Sequence, residues 1–177
     1  MEIEVREKGS EAFYTEVMNA TYQYRELLKN PEKKLKNMYR QMLIYMIVCA
    51  FFAVLLTVMG ILWGFDPLMI VATSMMVILL IFTIRYYYAL VTLKNRLRDD
   101  QRTSVVRLDE NGVELNKEDQ QVVRIGWENV AFVRAFDESV CFFAKDVTGF
   151  VLSVKKEYRD GIFEYIRESQ PQVRLIG

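Results

Sequence analysis

Two uninterrupted apolar segments occupy the middle of the chain. Met42 to Trp63 gives 22 residues without a charge, and Leu68 to Ile84 gives 17. At about 1.5 Å per residue, helices of these lengths extend about 33 and 26 Å, against a bilayer core of about 30 Å. The pattern predicts a transmembrane helical hairpin within residues 39–93, with helices at about 42–63 and 68–91.

A four-residue link joins the two predicted helices, and its sequence is Gly64-Phe65-Asp66-Pro67. Gly64 favours the end of the first helix, because glycine adopts the backbone conformations that terminate helices. Asp66 can cap the second helix, and Pro67 suits its first turn. A link this short makes the two helices antiparallel neighbours.

Positive charge is concentrated on both flanks of the hairpin. The basic residues are Lys29, Lys33, Lys34, Lys36 and Arg40 before it, and Arg85, Lys94, Arg96, Arg98 and Arg102 after it. The link contains only Asp66, so the positive-inside rule predicts that both chain ends are cytoplasmic. The predicted anchors at the membrane interface are Arg40, Trp63, Arg85, Tyr86, Tyr87 and Tyr88.

Residues 1–38 form a polar N-terminal arm in which two elements are predicted. Ile3 and Val5 alternate with polar residues, which indicates a short strand. Ser10 begins a helix whose apolar residues recur at helical spacing as far as Leu28, and Pro31 follows its end. The pattern leaves open whether this helix packs on the C-terminal domain or lies along the membrane surface.

The C-terminal domain, residues 94–177, changes from helical to alternating patterns. An Asn111-Gly112 pair between two alternating segments predicts a β-hairpin. The predicted strands are 103–109, 113–117, 121–127, 130–136, 139–144 and 150–154. Apolar residues at helical spacing predict a C-terminal helix over 157–169, before Pro171. This order predicts an antiparallel pleckstrin-homology-like barrel capped by one helix, and hence a membrane α+β fold.

Composition excludes several functional classes. The chain has no histidine, which removes imidazole-based catalysis and histidine-ligated zinc. Its net charge is zero, so no global basic field favours nucleic acid. Cys49 and Cys141 are expected to be unpaired small apolar residues. We therefore predict no enzymatic activity, no cofactor and no metal.

Two short motifs carry a resemblance to a known family. They are Val106–Val113, with the sequence VRLDENGV, and Ile125–Val130, with the sequence IGWENV. The chain also has a hairpin between a polar arm and the strand region. With these features and the two motifs, it resembles the YcxB-like membrane proteins of bacteria. The resemblance implies two transmembrane helices, a pleckstrin-homology-like domain and the bacterial cytoplasmic (inner) membrane.

The same resemblance gives a family signature and no catalytic residues. The signature residues here are Ile125, Trp127 and Val130, where isoleucine is common at the last position. We expect all three to be structural, with the Trp127 ring under the C-terminal helix and its N–H bonded to a backbone acceptor. The alternative for Trp127 is an aromatic floor for a bound peptide.

These observations favour a multi-pass, membrane-anchored interaction module. The hairpin has no ionisable residue between Met42 and Ile84, so its predicted role is an anchor in the lipid bilayer, and a transport or channel function is disfavoured. The cytoplasmic domain is expected to bind an unidentified protein partner or a second copy of the chain. The alternative is recognition of anionic lipid by that domain.

Overall fold

The structure is a computed structural model that describes residues 2–5, 9–100, 104–117, 120–145 and 151–177. The basic residue Arg102 and the predicted strand ends at 103 and 150 lie outside these ranges. The chain divides into two compact units. The helical unit is Asn37–Leu93, and the sheet unit combines Met1–Lys36 with Lys94–Gly177.

Thirteen helices and strands follow one another in the described residues. In chain order they are β1 (Glu2–Val5), α1 (Glu11–Tyr22), α2 (Tyr24–Lys29), α3 (Met38–Trp63), α4 (Pro67–Asp100), β2 (Ser104–Asp109), β3 (Gly112–Lys117), β4 (Gln120–Gly126), β5 (Val130–Ala135), β6 (Ser139–Ala144), β7 (Val151–Lys155), α5 (Arg159–Ser169) and β8 (Arg174–Ile176). Single 3-10 turns precede β5, at Trp127–Asn129, and α5, at Lys156–Tyr158.

Both helices of the helical unit are long and apolar enough to cross a membrane. Their mean hydropathies reach 2.7 and 2.5, and the apolar stretches are not buried inside the protein. The Tyr39 ring, at the start of α3, lies 5.7 Å from the Tyr87 ring, late in α4. This contact makes the helices antiparallel neighbours, so the two-helix part of the expected fold is confirmed.

Local capping fixes where these helices begin and end. The Asn37 side chain accepts a hydrogen bond from the Arg40 backbone N–H at 3.1 Å, so α3 begins four residues before the predicted start. Gly64 ends it with a φ of 91°, and Asp66 Oδ1 caps α4 by accepting from the Met69 N–H at 2.7 Å. Helix α4 continues to Asp100, past the predicted end. The residues after Val91 include the good helix formers Leu93, Lys94, Arg96, Leu97 and Arg98.

The strands form two four-stranded sheets. The first has the order β1-β2-β3-β4, and the second has the order β7-β6-β5-β8. The predicted β2–β3 hairpin is present: Asp109 pairs with Gly112, and Asp109 Oδ1 accepts from the Asn111 and Gly112 N–H groups at 2.7 and 3.0 Å. Gly112 is required there, because a Cβ would lie 2.1 Å from the Ile125 carbonyl oxygen.

The expected antiparallel barrel does not close in the described residues. The 3-10 turn at Trp127–Asn129 interrupts the strand order, so β4 and β5 are not sheet neighbours. Strand β8 also runs parallel to β5, because the chain returns to the second sheet after α5. The part of the chain that the structure describes therefore holds two separate sheets and a C-terminal helix, and no closed barrel.

The main core of the sheet unit lies between the sheets and α5. Helix α5 begins two residues after the predicted start and buries Ile162, Phe163 and Ile166. They pack with Val106, Leu108, Val113, Ile125, Trp127, Val130, Val133, Val140, Phe142, Ala144, Leu152, Val154 and Val173. Burial of these apolar side chains is the dominant stabilising contribution to the unit.

Candidate interaction surface

The second sheet is covered on both faces. All six residues of β6 are buried, although successive side chains of a strand point to opposite faces. Val140 and Phe142 belong to the main core under α5. Cys141 and Phe143 belong to a separate cluster formed with the N-terminal arm. The outer face of such an antiparallel sheet is commonly in contact with solvent. On the second sheet, the N-terminal arm takes the place of solvent on that face.

The arm contacts this outer face through aromatic and aliphatic side chains. The Tyr24 ring stacks on Phe143 with centroids 6.2 Å apart, and Phe143 stacks on Phe132 at 4.4 Å. The Tyr24 hydroxyl donates to the Ala144 carbonyl. Ala20 and Leu27 complete the cluster. The question left open by the sequence is thereby answered for the described residues: α1 and α2 pack on the second sheet.

A carboxylate on α1 holds the β5–β6 turn. Glu16 accepts from the backbone N–H groups of Asp137 and Glu138 at 3.1 and 3.2 Å, and from the Ser139 hydroxyl at 2.5 Å. Burial raises the pKa of Glu16 above its ordinary value, and the nearby Asp137 carboxylate raises it further, although the three donors oppose both effects. Helix α1 is therefore fixed to the sheet by a polar contact as well as by apolar packing.

Replacing Glu16 by glutamine is expected to remove a pH-dependent part of the stability. A folded-state pKa above the unfolded value means that protonation favours the folded state, so this contribution is lost as the pH rises through the folded pKa. The melting temperature of wild type minus that of Glu16→Gln should decrease between about pH 4 and about pH 7. Thermal unfolding of the full chain in micelles, followed by circular dichroism, measures it.

The matched control for this experiment is Glu164→Gln, because Glu164 lies exposed on α5. Its difference from wild type should change less with pH than that of Glu16→Gln. A difference for Glu16→Gln that increases with pH would contradict the raised pKa.

The segment between the arm and α3 is also held on the sheet unit. The Arg134 guanidinium donates to the Pro31 and Lys33 carbonyls at 2.6 and 2.8 Å. The Gln23 side chain donates to the Lys36 carbonyl at 2.7 Å and accepts from the Lys36 N–H at 3.1 Å. These bonds satisfy backbone groups that lie outside any strand or helix.

Helix α1 makes a second set of contacts with the last turns of α4. Glu11 forms an ion pair with Lys94, and Leu97 packs against Phe13, Tyr14 and Val17. The arm therefore holds both the segment that precedes α3 and the end of α4. Sequence periodicity does not reveal this role, because Glu11, Glu16 and Gln23 look like ordinary polar positions of an amphipathic helix.

The three family-signature residues lie in the main core. Trp127 is only 4 % exposed, and its Nε1–H donates to the Asp109 carbonyl at 2.8 Å. Ile125 and Val130 are buried on either side of the 3-10 turn. This placement agrees with a structural role for all three and does not present Trp127 as an exposed aromatic floor.

The predicted interface anchors lie on the two long helices. Arg40 is in the first turn of α3, and Trp63 is its last residue, with 73 % of its surface exposed. Arg85, Tyr86, Tyr87 and Tyr88 lie on α4, and the Tyr87 ring contacts Tyr39. Their contact with lipid headgroups stays a prediction.

Basic residues of the strand region are mostly engaged within the protein. Arg124 Nη2 donates to both carboxylate oxygens of Asp109, at 2.8 and 3.1 Å, and Arg134 binds the carbonyls described above. Lys145 donates to the Glu128 carbonyl at 2.9 Å. The Lys117 side chain lies outside the described residues. Among the described residues of the strand region, basic side chains are not gathered in one loop that could bind an anionic headgroup.

Chemically reactive groups are sparse in the described residues. Within those ranges, no group of three or more cysteine, aspartate or glutamate side chains is placed to hold a metal ion. Burial raises the pKa of the Cys141 thiol to about 12, so almost none of it is thiolate near neutral pH. A shallow cleft of about 410 Å³ beside Ser10 and Lys156 carries two lysines and two glutamates, and no set of groups there forms a catalytic constellation.

One element of the second sheet was missed by the sequence patterns. Strand β8 pairs with β5, and Arg159 contacts the residue that follows β8. The apolar residues at 173, 175 and 176 are a weak signal for a strand after α5. With only three paired residues, β8 is too short for periodicity to identify.

Comparisons with models of known protein families, with curated proteins and with solved structures found no match to this chain.

Proposed function

We propose that this chain is a membrane-anchored interaction module without catalytic activity. It is a multi-pass protein of the bacterial cytoplasmic membrane, related to the YcxB-like proteins, with a pleckstrin-homology-like sheet unit and both chain ends in the cytoplasm. The sheet unit binds a protein partner or a second copy of the chain. The anchor and the binding unit are separate parts of the molecule.

The observation that supports this proposal is the contrast between the two units. The helical unit exposes apolar side chains along almost its whole length, including Ile61 at 71 % and Leu68 at 78 %, as a lipid-facing surface requires. The sheet unit has its own core, and three described basic side chains of its strand region, Arg124, Arg134 and Lys145, bind groups within the protein. Backbone edges of its sheets therefore remain the surfaces that suit a protein partner.

The topology is tested with single cysteines in a chain that lacks Cys49 and Cys141. Phe65→Cys lies in the link between the helices, and Glu168→Cys lies exposed on α5. In intact cells, a membrane-impermeant maleimide should label position 65 and should reach position 168 only after permeabilisation, because both chain ends are cytoplasmic. The reverse labelling pattern would contradict the orientation, and release of the chain by alkaline carbonate would contradict membrane integration.

The interaction itself is tested by photo-crosslinking of the full chain in its own membrane. A photoreactive residue at position 124, on the edge strand β4, should give one discrete adduct with a partner or a second copy. The control position is Glu164, on the exposed face of α5. The same diffuse products at both positions, or no adduct from any sheet edge, would reject a protein-binding function. The lipid alternative would instead be favoured by one result of a flotation assay. In that result, variants of the sheet unit's surface float with anionic vesicles and their binding depends on the salt concentration.

A further inference from the structure

The segment between α2 and α3 presents two exposed lysines. This segment, residues 30–36, belongs to the sheet unit and is called the linker below. Lys34 and Lys36 are exposed, whereas Leu35 between them is partly buried and packs against the cluster that contains Phe143. Because they are two positions apart, the Cα atoms of the two lysines are at most about 7 Å from each other. These two residues are called the lysine pair below.

The backbone of the linker is fixed by buried or half-buried side chains. Arg134 donates to the Pro31 and Lys33 carbonyls. Gln23, only 6 % exposed, bonds to both the N–H and the carbonyl of Lys36, at 3.1 and 2.7 Å. The positive-inside rule requires positive charge near the membrane and does not require a fixed backbone. The lysine pair is therefore held in a defined arrangement, which reduces the entropy lost when both lysines bind one ligand.

The two carboxylates that precede the lysine pair are engaged by other cations. Glu32 forms an ion pair with Arg174 at 2.7 Å, and Glu26 forms one with Lys33 at 2.8 Å. Neither lysine of the pair forms an ion pair with the residues that the structure describes. The next acidic residue along the chain is Asp66, after the end of α3. The charge of the pair is therefore available to an anion from outside the protein.

The lysine pair is close along the chain to the apolar part of α3. Lys36 is two residues before Met38, the first residue of α3, so their Cα atoms are at most about 7 Å apart. Met38 in turn lies about 6 Å along the helix from Met42, where the uncharged stretch begins. The headgroup layer of a bilayer is about 5–8 Å thick on each side. A helix that enters the bilayer near Met42 therefore brings the lysine pair to the level of the phosphates.

The chemistry of the pair favours an anionic phospholipid over a zwitterionic one. Each lysine ammonium is a compact charge with three donors on a flexible stem, so two of them can bind the same phosphate. A phosphatidylcholine headgroup contains its own cation, which competes for that phosphate. A phosphatidylglycerol headgroup has the same phosphate and no cation, so it gains more from the lysine pair.

We infer that the lysine pair is a binding site for the phosphate of one anionic phospholipid of the surrounding membrane. The bound lipid tethers the linker, and with it the N-terminal arm, to the bilayer surface. This inference rests on the membrane anchoring within the proposed function, and it goes beyond that function because no protein partner takes part. It also differs from the lipid alternative, in which the strand region binds the headgroup.

The test measures lipid binding to the full chain in detergent micelles by native mass spectrometry. The probes are phosphatidylglycerol and phosphatidylcholine with the same acyl chains. Wild type should bind the first phosphatidylglycerol at least fivefold more tightly than the first phosphatidylcholine. In the variant with both Lys34→Gln and Lys36→Gln, this preference should fall below twofold. Both side chains are exposed, so the variant should keep the melting temperature of wild type.

Two further variants separate a built site from total charge. The matched control, Lys156→Gln with Arg167→Gln, also removes two exposed cations and should keep the preference of wild type. Gln23→Leu keeps every charge and removes both hydrogen bonds to Lys36, so it should lower the preference at least twofold. Its melting temperature reports whether the sheet unit is still folded, and the exposed lysine variants do not depend on that result.

Three results would overturn the inference. They are equal binding of the two lipids by wild type, an equal decrease in the control and the lysine-pair variant, and an unchanged preference in a folded Gln23→Leu chain. Displacement of the lipid by millimolar glycerol phosphate would also overturn it, because the site would then bind a soluble phosphate. The outcome is separable from that of the proposed function. Release of the chain by alkaline carbonate rejects the anchoring itself, whereas a membrane-integrated chain that binds both lipids equally rejects this site alone.

Discussion

Replacing Tyr24 by alanine should release the N-terminal arm from the second sheet. The change removes a ring that is 4 % exposed and stacked on Phe143, together with the hydrogen bond to the Ala144 carbonyl. Truncating a buried aromatic side chain costs about 3–5 kcal/mol. We expect the free energy of docking of the arm on the second sheet to weaken by this amount, because the replaced ring lies in the contact between the arm and the sheet.

Cys141 reports this release directly, since the arm covers it. In a Cys49→Ser background it is the chain's remaining cysteine, because the sequence contains two. Labelling of Cys141 by a maleimide should be about 100- to 3,000-fold faster in Tyr24→Ala than in the parent, because each 1.4 kcal/mol changes an equilibrium about tenfold. Tyr24→Phe keeps the stacked ring and should show a much smaller increase. Unchanged labelling in Tyr24→Ala would mean that the arm does not protect this face.

Trp127→Ala should destabilise the sheet unit by a similar amount, about 3–5 kcal/mol. The ring fills the main core, and its loss also leaves the Asp109 carbonyl without the indole donor. The melting temperature of the full chain in micelles measures the effect.

The control for Trp127 is the chain's other tryptophan. Trp63→Ala should leave the melting temperature of the sheet unit close to that of wild type, because Trp63 is 73 % exposed at the end of α3. If Trp127→Ala kept its melting temperature and lost the partner adduct instead, the ring would be a binding residue, and its assignment to the core would be wrong.

Features set by local chemistry were predictable from the sequence. Asp66 and Pro67 start α4, and Asn111-Gly112 makes the β2–β3 hairpin, because each depends on residues within one turn. The two long helices follow from uncharged length alone. In all these cases the interacting groups are neighbours along the chain.

The features that were missed depend on distant residues. Strand β8 forms because it can pair with the free edge of β5, which lies about 40 positions earlier in the sequence. A pattern of neighbouring residues cannot reveal pairing over that distance. The described strands do not close into the expected barrel, because the chain around Trp127 turns locally and does not continue as a strand. Arg134 binds the carbonyls of Pro31 and Lys33, more than 100 residues away, although its sequence position suggests an ordinary solvated strand residue.

The double coverage of β6 also has a consequence for how the chain is synthesised. Tyr24 and its acceptor at Ala144 are separated by 120 residues, which include both long helices. At about 5–20 residues per second, a ribosome needs about 6–24 seconds to make that interval. The arm is therefore made first and reaches its sheet last. Its apolar face must be shielded by a chaperone or by transient contacts during that delay, and folding of this unit is expected to be slow for its size.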